Sequence, residues 1–306
     1  MRSLLIGDNS FIGVSHLAQS KARETMSRLN IPAMANVVEE AIQNGASGFS
    51  FSIHPTNQKI LQRLHEENLP KHSFDIYPIL PYAEGYVRLA NEVGMGGIIK
   101  HFMSDLSLTS KTKTLLKGGI SAATLDPVKL LKFYTEVEIE RYLRIKPKTA
   151  TLRSILLHEV VTDLALAFSS RTLFIEYDKH IRKKFHVTPG YVTRNFARFV
   201  QFFHESNMSL KDTVIMTPFN KAGFQMNPSR EKCEAALSSI NHEGNVIAMS
   251  VLAGGYLTLD EARDYLQSLR NISGAIVGVS SKQHAQTTFR AFSKLLNQDD
   301  DCQQHI

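Results

Sequence analysis

Apolar positions along this chain alternate between two rhythms. Short runs in which nearly every residue is apolar are followed by longer stretches with apolar residues at three- and four-residue spacing, the periods of a buried strand and an amphipathic helix. The pairs begin with Ser3–Asp8 and Asn36–Gly45, Gly48–His54 and Asn57–Asn68, and Phe74–Tyr82 and Glu84–Gly94. They continue with Gly96–Met103 and, after a long interval, Asp126–Leu143, then Ser154–Val160 with helical material to Asn207. The last three are Asp212–Phe219 with Ser229–Ile240, Asn245–Val251 with Leu259–Leu269, and Ser273–Ser280 with Lys282–Leu296. Strands apolar on both faces require a parallel sheet covered by helices. Eight strand-then-helix units are the number that closes a (β/α)8 barrel.

Punctuation sets the expected boundaries. Thr188 with Pro189 reads as the start of a helix containing "YVTRNFARFVQFF", and Asn227 with Pro228 as the start of the next. Asn44-Gly45 and Val93-Gly94 read as helix ends. No linker divides the chain, so one barrel domain is expected over 1–297, followed by a polar tail over 298–306. Two intervals exceed ordinary loop length, Ser104 to Asp126 and Val160 to Leu210, and are assigned extra helices, or a lid, after strands four and five. A doubly wound sheet is the competing architecture, but no G-x-G-x-x-G follows the first strand.

Composition narrows the class. With 43% hydrophobic and 21% charged residues in 306, the chain can bury one large core. Its two cysteines, Cys233 and Cys302, imply no disulfide framework, and the N-terminus lacks the apolar run of a signal peptide. A cytoplasmic protein without a membrane span is expected. The formal charge is +6, concentrated in Ser110–Gly119, Arg144–Arg153 and Lys179–His186. These runs read first as solvated faces and second as attraction for phosphate-bearing ligands. Nucleic acid comes third, because they lack interleaved aromatics. The phenylalanines Phe196, Phe199, Phe202 and Phe203 recur at helical spacing and read as core.

Chemistry in such a barrel sits at the C-terminal ends of strands. Reading those ends gives Asp8 with Asn9, His54, Tyr82, Lys100 with His101, His158 with Glu159, and Thr217 with Asn220 and Lys221. Lys100, preceded by apolar "GGII", could work as a base or Schiff-base nucleophile if desolvation lowers its pKa. Asp8, His54, His158 and Glu159 could instead hold a divalent metal, or His101 or His158 could act as general acid or base beside Glu159. The loop after "DTVIMTPF", with Asn220, Lys221 and Gln225, suits closure over a ligand or is a long turn pinned by Pro218 and Pro228.

The last two units end in "SVLAGG" and "VGVSSKQH". Loops at those places often bind phosphate, because glycine admits a close approach of backbone N–H groups and a helix N-terminus faces the anion. Gly254, Gly255, Ser280, Ser281 and Lys282 are the expected contacts. "VIAMSVLAGG" followed by "AIVGVSSKQHAQTTF" resembles the end of the aldo-keto reductase barrel, over roughly sixty residues. By that resemblance the five residues would hold NADP, and His284 would stand near the place of a 2′-phosphate-binding Arg.

The family's catalytic residues, Asp and Tyr after the second strand, Lys after the third and His after the fourth, are matched only by His101 in "IIKHF". The favoured expectation is therefore a lyase or isomerase acting on a phosphate-bearing small molecule through Lys100 with His and Glu partners. An NADP-dependent aldo-keto reductase-like oxidoreductase is the first alternative. A barrel that binds RNA or another acidic partner without catalysis is the second.

Overall fold

The computed structural model describes residues 3–13, 30–81, 126–240 and 244–301, the side chains of 294–301 excepted. Nine parallel strands form its sheet: β1 (Ser3–Gly7), β2 (Gly48–Ser52), β3 (Phe74–Leu80), β4 (Ala150–Leu152), β5 (Ser154–Leu157), β6 (Thr188–Val192), β7 (Val214–Pro218), β8 (Asn245–Met249) and β9 (Ile272–Gly278). β4 and β5 both pair with β3 and are two halves of one strand broken at Arg153. β5 continues the ring to β6, and β9 closes it onto β1 with Ser3 opposite Gly274 and Gly7 opposite Gly278. The result is the expected closed (β/α)8 barrel.

Two of the eight positions are filled by other segments than the apolar pattern indicates. The fourth position belongs to Ala150–Leu157, because β3 Ile79 pairs with β5 Leu156; the run Gly96–Met103 lies outside the described residues. The fifth is Thr188–Val192, which the Thr-Pro pair marked as a helix start. Its Pro and Gly read as turn formers. Inside the barrel Gly190 is instead a packing requirement: a Cβ there would lie 2.8 Å from Ser154 Oγ and 2.9 Å from Leu156 Cγ. The interval Val160 to Leu210 therefore contains a barrel strand as well as helices.

Helices fill the outer layer: α1 (Ile31–Gln43), α2 (Pro55–Glu66), α3 (Pro127–Ile145), α4 (Glu159–Ala167), α5 (Arg171–Phe185), α6 (Phe196–Glu205), α7 (Arg230–Ser239), α8 (Leu259–Ser268) and α9 (Lys282–Asp301). The additional helix sits between the fourth and fifth barrel strands, where α4 and α5 follow one another. Polar caps start several helices: Asn30 on α1, Asp126 on α3, and Thr258 on α8 in a reciprocal pair with Glu261. Helix α6 is capped by Asn195, seven residues beyond Thr188, and α7 by Ser229 rather than Asn227. The four phenylalanines of α6 are buried, and Phe199, Phe202 and Phe203 pack with Phe174 of α5 at ring separations of 5.4–6.1 Å.

The strand pleat sorts side chains into two cores. Leu5, Tyr77, Leu156, Val192, Val214, Met216 and Ile247 fill the lumen, while Phe49, Phe51, Ile155, Leu157 and Ile215 face the helices. Two basic residues of α5 are paired: Arg182 Nε lies 2.9 Å from Asp178, and Lys184 lies 3.6 Å from Glu136 and 3.5 Å from Glu140 of α3. Among the described residues no helix is long and apolar enough to cross a membrane.

Candidate functional site at the barrel mouth

The alternation that puts Leu156 in the lumen carries the same row through Ser154 and on to His158 at the C-terminal end of the fourth barrel strand. His158 is also the N-cap of α4, where its Nδ1 accepts the Val160 N–H at 3.2 Å. His54, after the second strand, makes the same turn: it caps α2, its Nδ1 accepts the Thr56 N–H at 3.1 Å, and its carbonyl accepts the Tyr142 hydroxyl at 3.0 Å. A neutral imidazole whose Nδ1 accepts carries its proton on Nε2. Both rings are thereby set to donate through Nε2–H.

The acidic members of the expected ring are engaged elsewhere. Asp8 is buried at the opposite parity to lumen-facing Gly7, and its Oδ2 accepts the Ser52 N–H at 2.8 Å and Asn57 Nδ2 at 2.7 Å. Burial pushes its carboxyl above the ordinary aspartate value, partly offset by the hydrogen bonds from Ser52 and Asn57. Glu159 is paired with Arg194 beyond the fifth strand, and Asp163 of α4 accepts from Thr193 Oγ1 and from the Arg194 N–H. Burial is also the main cause that raises Asp163. Among the described residues no three His, Cys, Asp or Glu side chains converge to hold a metal ion. Asp8, His54, His158 and Glu159 therefore do not form the metal site their sequence positions suggested. Lys100, His101 and Tyr82 lie outside the described residues.

The corner expected to bind phosphate has the turn backbone its glycines imply. Gly254 and Gly255 sit in the short 3-10 turn Ala253–Gly255 with φ of 73° and 96°, the left-handed region that glycine enters freely. A Cβ added to Gly255 would meet nothing within 4 Å, so space lies open above it. Ser281 is a cap of α9, its Oγ accepting the His284 N–H at 3.2 Å and its carbonyl the Ala285 N–H at 2.9 Å. Lys282 and His284 are exposed on the first turn of that helix, and Ser280 is half-buried. The loop after the first strand joins this corner through Ser10 Oγ, which donates to the Val279 carbonyl at 2.6 Å.

The loop after the sixth strand is a brace. Asn220 is buried and exchanges two hydrogen bonds with the Phe224 backbone, the Asn227 N–H donates to the Arg194 carbonyl, and Ser250 Oγ donates to Gln225 at 3.3 Å. It is tied at one end to the fifth strand and at the other to the seventh. Residues that the sequence reading passed over are Ser52, Asn57, Asp163 and Arg194, and Gly278, which lies exposed in the lumen row of the last strand. Only Gly278 carried a signal, as part of the "GVSS" turn.

No family model matches the chain, and no curated protein does. Solved structures do. One is a Pseudomonas aeruginosa protein described as an aldo-keto reductase, with a TM-score of 0.58 and 11% identity over 96% of this chain and 91% of that one. A second, described as a 2,5-diketo-D-gluconic acid reductase B, gives 0.53 and 9% over 95% and 82%. The aldose reductase of Schistosoma japonicum gives 0.52 and 12% over 98% and 88%. The fold is thus an aldo-keto reductase-like TIM barrel along nearly its whole length.

The favoured lyase or isomerase reading is corrected here. The neighbours are reductases, and the Glu159 partner it needed is bound to Arg194. The resemblance is corrected in one place as well. With Ala150–Leu157 as the fourth barrel strand, the histidine that follows strand four is His158, not His101.

Proposed function

We propose that the chain is an oxidoreductase that binds NADP(H) at the loops after its last two barrel strands and reduces a carbonyl compound at the mouth. The observation that carries this reading is the position of His158, in the lumen row at the end of the fourth strand, with its ring held as an Nε2–H donor by the Val160 N–H. The corner suits the cofactor: Gly255 leaves open space, Lys282 offers positive charge on the first turn of α9, and His284 stands exposed beside it.

Reduced nicotinamide supplies a hydride to the carbonyl carbon. Toward that chemistry His158 Nε2–H donates a hydrogen bond to the carbonyl oxygen and stabilises the negative charge that develops there. In the neutral ring with Nδ1 accepting, Nε2–H acts as a polarising donor rather than a proton source. The family's Asp and Tyr have no counterpart after strand two, where Ser52, Ile53 and His54 stand. In this proposal the oxygen takes its proton from water at the mouth.

The test is NADPH titration of the full chain by nicotinamide fluorescence and calorimetry, followed by carbonyl reduction assayed at 340 nm. Saturable binding with slow turnover of simple aldehydes is expected. No binding at millimolar NADPH overturns the reading.

A further inference from the structure

Helix α4 has few buried positions to place it on the barrel. Of its nine residues, Glu159–Ala167, Thr162, Ala165 and Leu166 are buried, and a helix of that length does not hold by itself. The contact of His158 Nδ1 with the Val160 N–H is internal to the first turn; it orients the ring on the helix but not the helix on the barrel. Toward the third barrel strand the turn is held by the His158 N–H, which donates to the Leu80 carbonyl at 2.8 Å. Toward the fifth, three contacts converge on two consecutive residues. Thr193 Oγ1 donates to Asp163, the Arg194 N–H donates to Asp163 Oδ2 at 3.2 Å, and the Arg194 guanidinium pairs with Glu159, the neighbour of His158. Arg194 is itself fixed: its carbonyl accepts the Asn227 N–H at 3.1 Å, and the Thr193 N–H before it donates to the Met216 carbonyl at 3.0 Å.

We propose that Arg194 is a positioning residue: through Glu159 it sets the place of the first turn of α4, and with it the direction of the His158 Nε2–H. This rests on the reductase reading, in which that N–H polarises the carbonyl; Arg194 acts through Glu159 and not by touching the substrate. Of the three contacts, only the ion pair depends on the side chain at 194, so it can be removed while Asp163 keeps both of its donors. The pair is sheltered, with Glu159 20% and Arg194 33% exposed at the side chain, and is screened less than a pair in open water. A guanidinium adds direction to charge, because its N–H groups leave a rigid plane. A small misplacement matters in such a site, since a shift of about 1 Å at a reacting group can cost on the order of a hundredfold in rate.

Arg194→Met and Glu159→Gln, singly and together, test the role in the full chain. With NADPH and a simple aldehyde, kcat should fall roughly tenfold to a hundredfold in each single variant, while NADPH affinity stays within about twofold of wild type. The double variant should lose no more than either single one, because both break the same contact. Arg194→Lys, which keeps a cation for Glu159, should recover part of the rate. A readout free of turnover is NMR of the 15N-labelled histidine rings, with His158 assigned by its absence in His158→Asn. Its tautomer should stay Nε2–H in every variant, because the Val160 contact moves with the helix, whereas microsecond-to-millisecond exchange broadening should appear in Arg194→Met and Glu159→Gln and shrink in Arg194→Lys. Should Arg194→Met not fold, the milder Glu159→Gln carries the measurement. If NADPH does not bind yet His158 exchange still follows the pair, the reductase reading fails and the positioning role stands. His158 signals without added exchange in the variants overturn the role, as do single losses that add in the double variant.

Discussion

Gly278→Val separates the ligand space of the mouth from the packing of the barrel. Gly278 follows Gly274 and Ile276 along the lumen row of β9, its φ is ordinary, and a Cβ built on it meets nothing within 4 Å. Three added carbons should therefore enter open space without strain. Removing a glycine from a strand narrows the unfolded ensemble, which stabilises by about 0.4–1 kcal/mol. For a chain of 306 residues that raises Tm by about 1–2 °C.

The same substitution puts a branched side chain beside the "GVSS" turn, where the cofactor is proposed to lie. NADPH affinity should fall at least tenfold, about 1.4 kcal/mol. Gly274→Ala is the contrast, since its Cβ would stand 2.5 Å from the Ser3 carbonyl oxygen; overpacking of about 1–3 kcal/mol should lower Tm by several degrees. Differential scanning calorimetry and NADPH titration of both variants decide the matter. A Gly278→Val protein with unchanged Tm and full NADPH affinity places the cofactor elsewhere, and one that unfolds refutes the open-space geometry.

His158→Ala should lose both the α4 cap, about 0.5–2 kcal/mol in urea unfolding, and carbonyl reduction, whereas His158→Asn should keep most of the cap and still lose reduction; equal activity in His158→Asn and wild type removes the ring from the chemistry. Asp8 titrates above its ordinary value in the fold because of burial, so its favourable contribution is complete below about pH 3.8 and is lost as pH rises through the raised value. Asp8→Asn should therefore gain stability relative to wild type between pH 4 and pH 7, and parallel urea midpoints across that window would contradict the assignment.

Where the sequence reading succeeded and where it slipped have the same physical origin. Apolar runs such as Leu4–Ile6, Val214–Met216 and Val246–Ala248 are buried on both faces, and burial on both faces is what periodicity reports. Thr188–Val192 is equally a strand, but its inward position opposite Leu156 admits only Gly190, and its Pro189 spells a turn. An apolar run elsewhere kept the count at eight while the identities shifted.

The site slipped for a related reason. Adjacency to a strand end does not say which way a side chain turns. Asp8 looked as available as His158, yet one sits at the parity that leads under α2 and the other at the parity that leads into the lumen. The turn at Gly254 and Gly255 was legible because a glycine pair after a strand marks a backbone conformation, which the structure shows as positive φ at both.

The composition of the lumen's upper row constrains what chemistry this mouth can perform. Following the pleat to the strand ends gives Gly7, Ser52, Ile79, His158, Val192, Pro218, Met249 and Gly278 among the described residues. Seven of the eight carry no group that titrates near neutrality, and three are glycine or serine. Carboxylates close by in sequence are consumed in holding the walls: Asp8 fixes the end of β2, and Glu159 with Asp163 fixes Arg194 beyond β6. Among the described residues these strand ends offer an acid–base mechanism the imidazoles of His54 and His158 but no carboxylate of the lumen row. Transfer of a hydride needs less: a bound donor, an oriented carbonyl and one N–H aimed at its oxygen. Among the described residues the strand-end row is therefore better matched to the hydride transfer proposed above than to proton abstraction by a carboxylate.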